Sequence, residues 1–216
     1  MTKKTKWIWG GICFSLFMIF LFIFLFHQTI LLKAGQYMAP GCDCKADVAI
    51  LEGAEGISTG LITNGMELMS SGKVKRIAVV IQRIAPAHRP FGINGDYPDI
   101  VRKKLKELGL KETEFKVIVV PIRNPITLTE AKVVLESLSQ EHIKSAILLA
   151  EGFHTRRSFL VYQHIGTQFH IKIFPSACFT GYQLNNWWVQ ESAVREFTVE
   201  LLKLVYYLAG GYIPLI

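Results

Sequence analysis

The sequence predicts an α/β domain built on a three-layer, doubly wound, mostly parallel Rossmann-like sheet, preceded by one transmembrane helix. Three observations lead there. Short apolar runs alternate with stretches of helical period from residue 47 to residue 208, the pattern of a parallel sheet covered on both faces. Right-handed crossovers place helices on both sides of such a sheet. Residues 7–26 then form a run of twenty without a charge, six of them phenylalanine, long enough to cross a hydrocarbon core.

The apolar run divides the chain. Lys3, Lys4 and Lys6 precede it, and only Lys33 and Lys45 follow closely. That asymmetry predicts a cytoplasmic tail at 1–6, a single membrane pass at 7–26, a linker at 27–46 and a globular domain at 47–216 outside the cytoplasm. A cleaved signal peptide is the rival. The run exceeds a typical h-region, however, and no A-x-A-like site follows it closely. Ala39-Pro40-Gly41-Cys42 matches a lipoprotein box only loosely and lies too far along.

The elements follow in order. Residues 47–51 read as a buried strand, too short for a core helix and closed by Glu52-Gly53. A helix with Ile62, Met66 and Met69 on one face ends at Ser71-Gly72. Residues 76–81 are the second strand, and 86–95 a turn-rich loop holding His88 and Arg89. Residues 97–110 form an amphipathic helix, with Ile100, Val101, Leu105 and Leu108 opposite a basic face, and 115–121 the third strand. Residues 128–138 are helical and 146–150 the fourth strand. A helix opening at Arg156-Arg157 carries Phe159, Leu160, Tyr162 and Ile165 as its apolar face. Residues 170–174 are the fifth strand, and 189–208 a long final helix closed by Gly210-Gly211.

Composition excludes several classes. The net charge is +7, but three of those charges sit in the N-terminal tail, and no basic run with interleaved aromatics occurs. Nucleic-acid binding therefore has no support. Cys13 lies inside the apolar run, while Cys42 and Cys44 sit just before the first strand and Cys178 after the fifth. In an exported domain a disulfide from Cys42 or Cys44 to Cys178 is permitted. No further ligands stand at metal-binding spacing, so no metal site is expected. Gly53, Gly56 and Gly60 do not make a dinucleotide fingerprint, and there is neither a P-loop nor a G-x-S-x-G elbow, which leaves any cofactor unknown.

The candidate site centres on residues 147–158, ILLAEGFHTRRS. A strand running into a helix N-terminus presents free N–H groups, and here it adds an imidazole and two guanidinium groups, an arrangement suited to an anion. Ligands in doubly wound sheets bind beyond the carboxyl ends of the strands, at the switch in strand order. If the first and fourth strands are neighbours, Glu52 and His154 face one crevice, as candidate orienting group or base and candidate acid or base. Neighbouring arginines on a helix diverge by about 100°. Arg157, three residues after His154, should therefore face inward and Arg156 reach the rim. An inward arginine that waits for a ligand should matter little to stability. Arg123 points from the third strand toward the same rim. Thr127 and Glu130 have capping-box spacing, and Thr127 is also a candidate ligand contact. Trp187-Trp188 before the last helix reads as a lid on the domain.

These stretches resemble the ElyC/SanA/YdcF family of bacterial envelope proteins over roughly residues 47–208. The resemblance rests on the strand ending in Glu-Gly, Thr127-Leu128-Thr129-Glu130-Ala131, Gly152-Phe153-His154-Thr155-Arg156-Arg157-Ser158, and Trp187-Trp188. It implies Glu52, Thr127, His154 and Arg157 as site residues, with Arg156 close behind, and a role in cell-wall upkeep at the plasma membrane. Two functions of different class follow as expectations. One is an anchored enzyme acting on an anionic, phosphorylated small molecule or lipid-linked envelope precursor. The other is a non-catalytic sensing or scaffold domain using the same crevice. Oligomeric state is not legible from the sequence.

Overall fold

The computed structural model describes residues 3–53, 58–82 and 97–214. The expected loop at 86–95, with His88 and Arg89, lies outside them, as do Gly56 and Arg83. Helix α1 spans Lys3–Met38. The domain then runs β1 (Val48–Glu52), α2 (Thr59–Ser70), β2 (Arg76–Gln82), α3 (Tyr97–Glu107), β3 (Phe115–Val120), α4 (Ile126–Ser139), β4 (Ser145–Glu151), α5 (His154–Phe169), β5 (Lys172–Cys178) and α6 (Glu191–Ala209). A 3-10 turn, Trp187–Val189, leads into α6.

The five strands form one sheet in the order β3-β2-β1-β4-β5, and every neighbouring pair is parallel. This is the predicted doubly wound α/β architecture, with β1 and β4 side by side at the switch in winding. Successive residues of a strand point to opposite faces. Ala49 and Leu51 pack with Leu61, Ile62, Val101 and Leu105 of α2 and α3. Val48 and Ile50 pack with Val134, Leu135, Tyr162 and Leu204 of α4, α5 and α6. Residue 52 shares the parity of Val48 and Ile50, so the last side chain of β1 is delivered to the α4–α5–α6 face. Gln82 ends β2 with the parity of Ala78 and Val80, toward the same face.

Two expectations are corrected here. Residues 27–38 are not linker: α1 continues unbroken through them, and Leu31, Gly35 and Met38 pack against the domain. The Trp187 indole N–H donates to the Leu31 carbonyl at 3.0 Å, and the helix is locked by that contact. Gly11–Met38 is long and apolar enough to cross a membrane. The second correction is the disulfide. Cys42 and Cys44 pair with each other, and Cys178 is a buried free thiol. Cys42 N–H bonds to the Pro175 carbonyl, three residues before Cys178 on β5. At about 3.3 Å per residue that is some 10 Å along the strand, beyond the roughly 7 Å Cα separation a disulfide tolerates.

Candidate active site

The site forms where β1 and β4 end beneath α4, α5 and α6. β4 stops at Gly152, whose φ of +47° turns the chain sharply into α5. A Cβ there would strike Tyr182 and Glu196, so the turn requires glycine. His154 opens α5 and places its imidazole against the end of β1, with Nε2 3.6 Å from Glu52 Oε1. Glu52 and His154 thus meet as the strand order predicts. Ser158, one helical turn on, has Oγ 2.9 Å from Nε2.

Arg157 is the inward arginine, 4% exposed. Its Nε donates to Glu200 Oε2 at 2.8 Å and its Nη1 to Thr127 Oγ1 at 2.6 Å. The guanidinium carbon also lies 5.1 Å from the centre of the Tyr207 ring. Arg156 is turned away and stacks over Tyr37 of α1, 4.2 Å from the ring centre. The structure does not bring Arg123 into the site: it is exposed and does not line the cavity. Arg123 lies three residues beyond the end of β3, in the turn before α4, where the strand no longer sets its direction.

Two further expectations change. Thr127 and Glu130 are not a capping box, because α4 begins at Ile126 with Pro125 as its cap and no side-chain cap bond. Thr127 instead receives Arg157, and Glu130 Oε1 accepts from Gln82 Nε2 at 2.9 Å. The N-terminus of α5 is also partly occupied by the chain itself, with Thr155 N–H bonded to the Gly152 carbonyl. Phe153 N–H donates to Glu196 Oε1 at 2.9 Å, so a carboxylate of the chain itself satisfies the positive helix end. Trp187 is buried in the domain core, stacks on Phe197 at 4.3 Å and holds α1, so the expected packing on the domain extends to that helix.

Sequence reasoning missed Glu200, which sits on α6 beneath both cations. A signal was present: Glu196 and Glu200 fall on the stripe of Ala193, Phe197, Leu204 and Tyr207 that α6 buries. Acidic residues on an apolar stripe require partners.

The electrostatics divide these groups into two sets. Burial pushes Glu52 up, but the nearby charge of His154 outweighs it and holds Glu52 low. Burial and the Glu52 charge raise Glu130 to about 8. One carboxyl is therefore ionised and its neighbour carries a proton, the usual outcome when two share a site. Burial also pushes Glu200 up, yet His154 and Arg157 hold it well below the ordinary range. Burial and Arg157 push His154 down, while Glu200 and Glu52 pull it up to about 9. Two contacts at Nδ1 make opposite demands: Glu200 Oε2, at 3.3 Å, accepts only if Nδ1 carries a proton, whereas Arg157 Nη2, at 2.8 Å, donates only if it does not. Charge balance decides for imidazolium, because two buried cations then face two buried carboxylates. The Arg157 contact is a close approach of cations sharing Glu200.

Above this cluster lies a cavity of about 290 Å³, lined among others by Gln82, Asn124, Thr127, Glu130, His154, Arg157, Lys203, Tyr206 and Tyr207. Glu52 and Glu200 stand behind the lining and do not form it. No cluster of metal-ligating side chains occurs among the described residues.

Fold and site together define a class: a doubly wound α/β domain with a buried carboxylate–imidazole–guanidinium cluster at its topological switch, joined to a long apolar helix. No family model, curated protein or solved structure matches the chain significantly.

Proposed function

We propose that this chain is a membrane-anchored protein of the bacterial cell envelope, of the ElyC/SanA/YdcF kind. Its pocket takes the phosphate of an anionic, lipid-linked cell-wall precursor and acts on it by proton transfer. One observation carries this reading: at neutral pH the lining offers hydrogen-bond donors, while the ionised carboxylates lie behind it. Imidazolium, guanidinium, the Lys203 ammonium, protonated Glu130, the Thr127 hydroxyl and two phenols border one small cavity. Such a surface favours a phosphate and disfavours a cation.

The chemistry follows from position. His154 borders the cavity as an acid, and by releasing Glu200 at Nδ1 or Ser158 at Nε2 it would deliver a proton to an oxygen leaving phosphorus, the role in which a positioned histidine contributes about 10²–10⁴-fold. Glu52 and Glu200 hold the imidazole from opposite nitrogens and stabilise its charge. Ser158–His154–Glu200 has the connectivity of a nucleophilic triad, but Ser158 is wholly buried, so substrate cannot reach its hydroxyl. The attacking group must then be water or a second substrate. The same burial favours the second reading, a sensing domain that binds phosphate without turning it over.

Titration of the full-length protein in detergent with farnesyl phosphate, farnesyl diphosphate and farnesol tests the proposal. Both phosphorylated ligands should bind and farnesol should not, and Lys203→Gln with Thr127→Val should weaken binding. Equal binding of farnesol, or binding of none, overturns it. Release or transfer of phosphate by the wild type, lost in His154→Gln, separates enzyme from sensor.

A further inference from the structure

We propose that the outward face of α6, with the turn before it, rests on the surface of the lipid bilayer that α1 crosses. The proposal goes beyond the pocket's chemistry and rests only on reading α1 as a membrane span.

The face itself is unusual for a surface helix. α6 buries Ala193, Glu200, Leu204 and Tyr207 against the domain. Its opposite side should then be polar. Instead Val194, Leu201, Leu202, Val205 and Tyr206 are exposed there, Leu202 at 64% and Val205 at 54%. At about 100° per residue Val194, Leu201, Leu202 and Val205 fall within one stripe running the length of the helix. Apolar faces of this extent mark an interaction surface.

The anchor indicates what covers it. Trp187, two residues before Val189, holds the Leu31 carbonyl, and Gly35 packs on the same indole. Leu31 lies two residues before Lys33, the first charge after the apolar run, or about 3 Å along the helix. The Trp187–Val189 turn is thereby fixed at headgroup depth, with Val189 68% exposed. Helix α6 starts there and also touches α1. The exposed charges on α6 are Glu191 in its first turn, then Arg195 and Lys203, so beyond the first turn they are cationic. Long basic side chains beside an apolar stripe suit an interfacial helix, their stems in the boundary and their heads among anionic lipid groups. Lys203 and Tyr206 also border the cavity, so its mouth would open at the level of lipid phosphates.

The test places a photoreactive benzoylphenylalanine at position 202 or 205 of the full-length protein in nanodiscs of phosphatidylcholine and phosphatidylglycerol. Position 104 serves as comparison, being exposed on α3 across the sheet. Illumination should give lipid adducts at 202 and 205 several-fold above those at 104. Adducts no higher than at 104 overturn the proposal, and so do crosslinks between two chains in place of lipid. Farnesyl phosphate titration of the same samples keeps the outcomes apart: binding without lipid adducts sinks the surface and leaves the pocket, and adducts without binding do the reverse.

Discussion

Arg157 donates from Nε to Glu200 Oε2 at 2.8 Å, and both side chains are about 95% buried, at 4% and 3% exposure. The pair joins α5 to α6 across 43 residues of sequence. The expectation that an inward arginine matters little to stability is therefore reversed. Arg157→Ala strands the Glu200 carboxylate in the interior and should cost on the order of 3–5 kcal/mol. Arg157→Met with Glu200→Leu removes both charges and should recover most of that loss. Chemical denaturation of the three proteins decides the matter, and additive losses in the double variant would count against the pairing.

Glu130 sets the alkaline limit of stability together with His154. Both have raised folded values, about 8 and about 9. A raised group lends stability that is complete below its unfolded value and declines as pH rises toward its folded value. Glu130 therefore loses its share between its ordinary 4.5 and about 8, and His154 between 6.5 and about 9. The melting temperature should fall steadily from pH 5 to 9. Glu130→Gln keeps the neutral shape and should flatten the lower part of that fall. An unchanged profile would show that Glu130 is already ionised.

Ser158 and His154 should separate cleanly in function. Ser158→Ala removes one support of the imidazole and should leave turnover within about tenfold, whereas His154→Gln should lose about 10²–10⁴-fold. Steady-state phosphate release on farnesyl diphosphate is the measurement. Complete loss in Ser158→Ala would restore it as a nucleophile.

Gly152→Ala should destabilise the fold by roughly 1–3 kcal/mol, since it imposes a side chain at positive φ and meets Tyr182 and Glu196. Glu196 would have to yield its bond to Phe153 N–H. Thermal unfolding measures the loss, and a neutral outcome would mean that the strand-to-helix turn relaxes freely.

A reporter active only outside the cytoplasm, joined after Ile216, should be active. Lys3, Lys4 and Lys6, at the start of α1 and ahead of its apolar run, would favour that orientation. An active cytoplasmic reporter at the same point would remove the envelope placement.

The architecture was open to sequence reading because it rests on local period and chirality. Glu52 and His154 were found through strand order, and their meeting needed nothing beyond β1 lying beside β4. Arg157 was found through helical geometry, whereas Arg156, expected at the rim as a ligand contact, stacks over Tyr37 and does not line the cavity. Glu200 was not, because the partner of a charged side chain on α6 depends on how that helix docks. Thr127 and Glu130 misled for the opposite reason. Their spacing has a sufficient local explanation, and the tertiary partners Arg157 and Gln82 displaced it. Arg123 failed because a strand's end fixes direction for its own residues and not for those in the turn beyond.

The unbroken course of α1 through Met38 has a consequence of helical phase. A flexible tether would let the domain turn freely, but a helix transmits rotation. One residue inserted between Phe26 and Leu31 would swing the docked domain by about 100° around the anchor and lift it about 1.5 Å. Seven residues would return it nearly to its original azimuth at about 10 Å greater height. Function that depends on which way the domain faces should therefore oscillate with insertion length, while function that depends on reach should fall off smoothly.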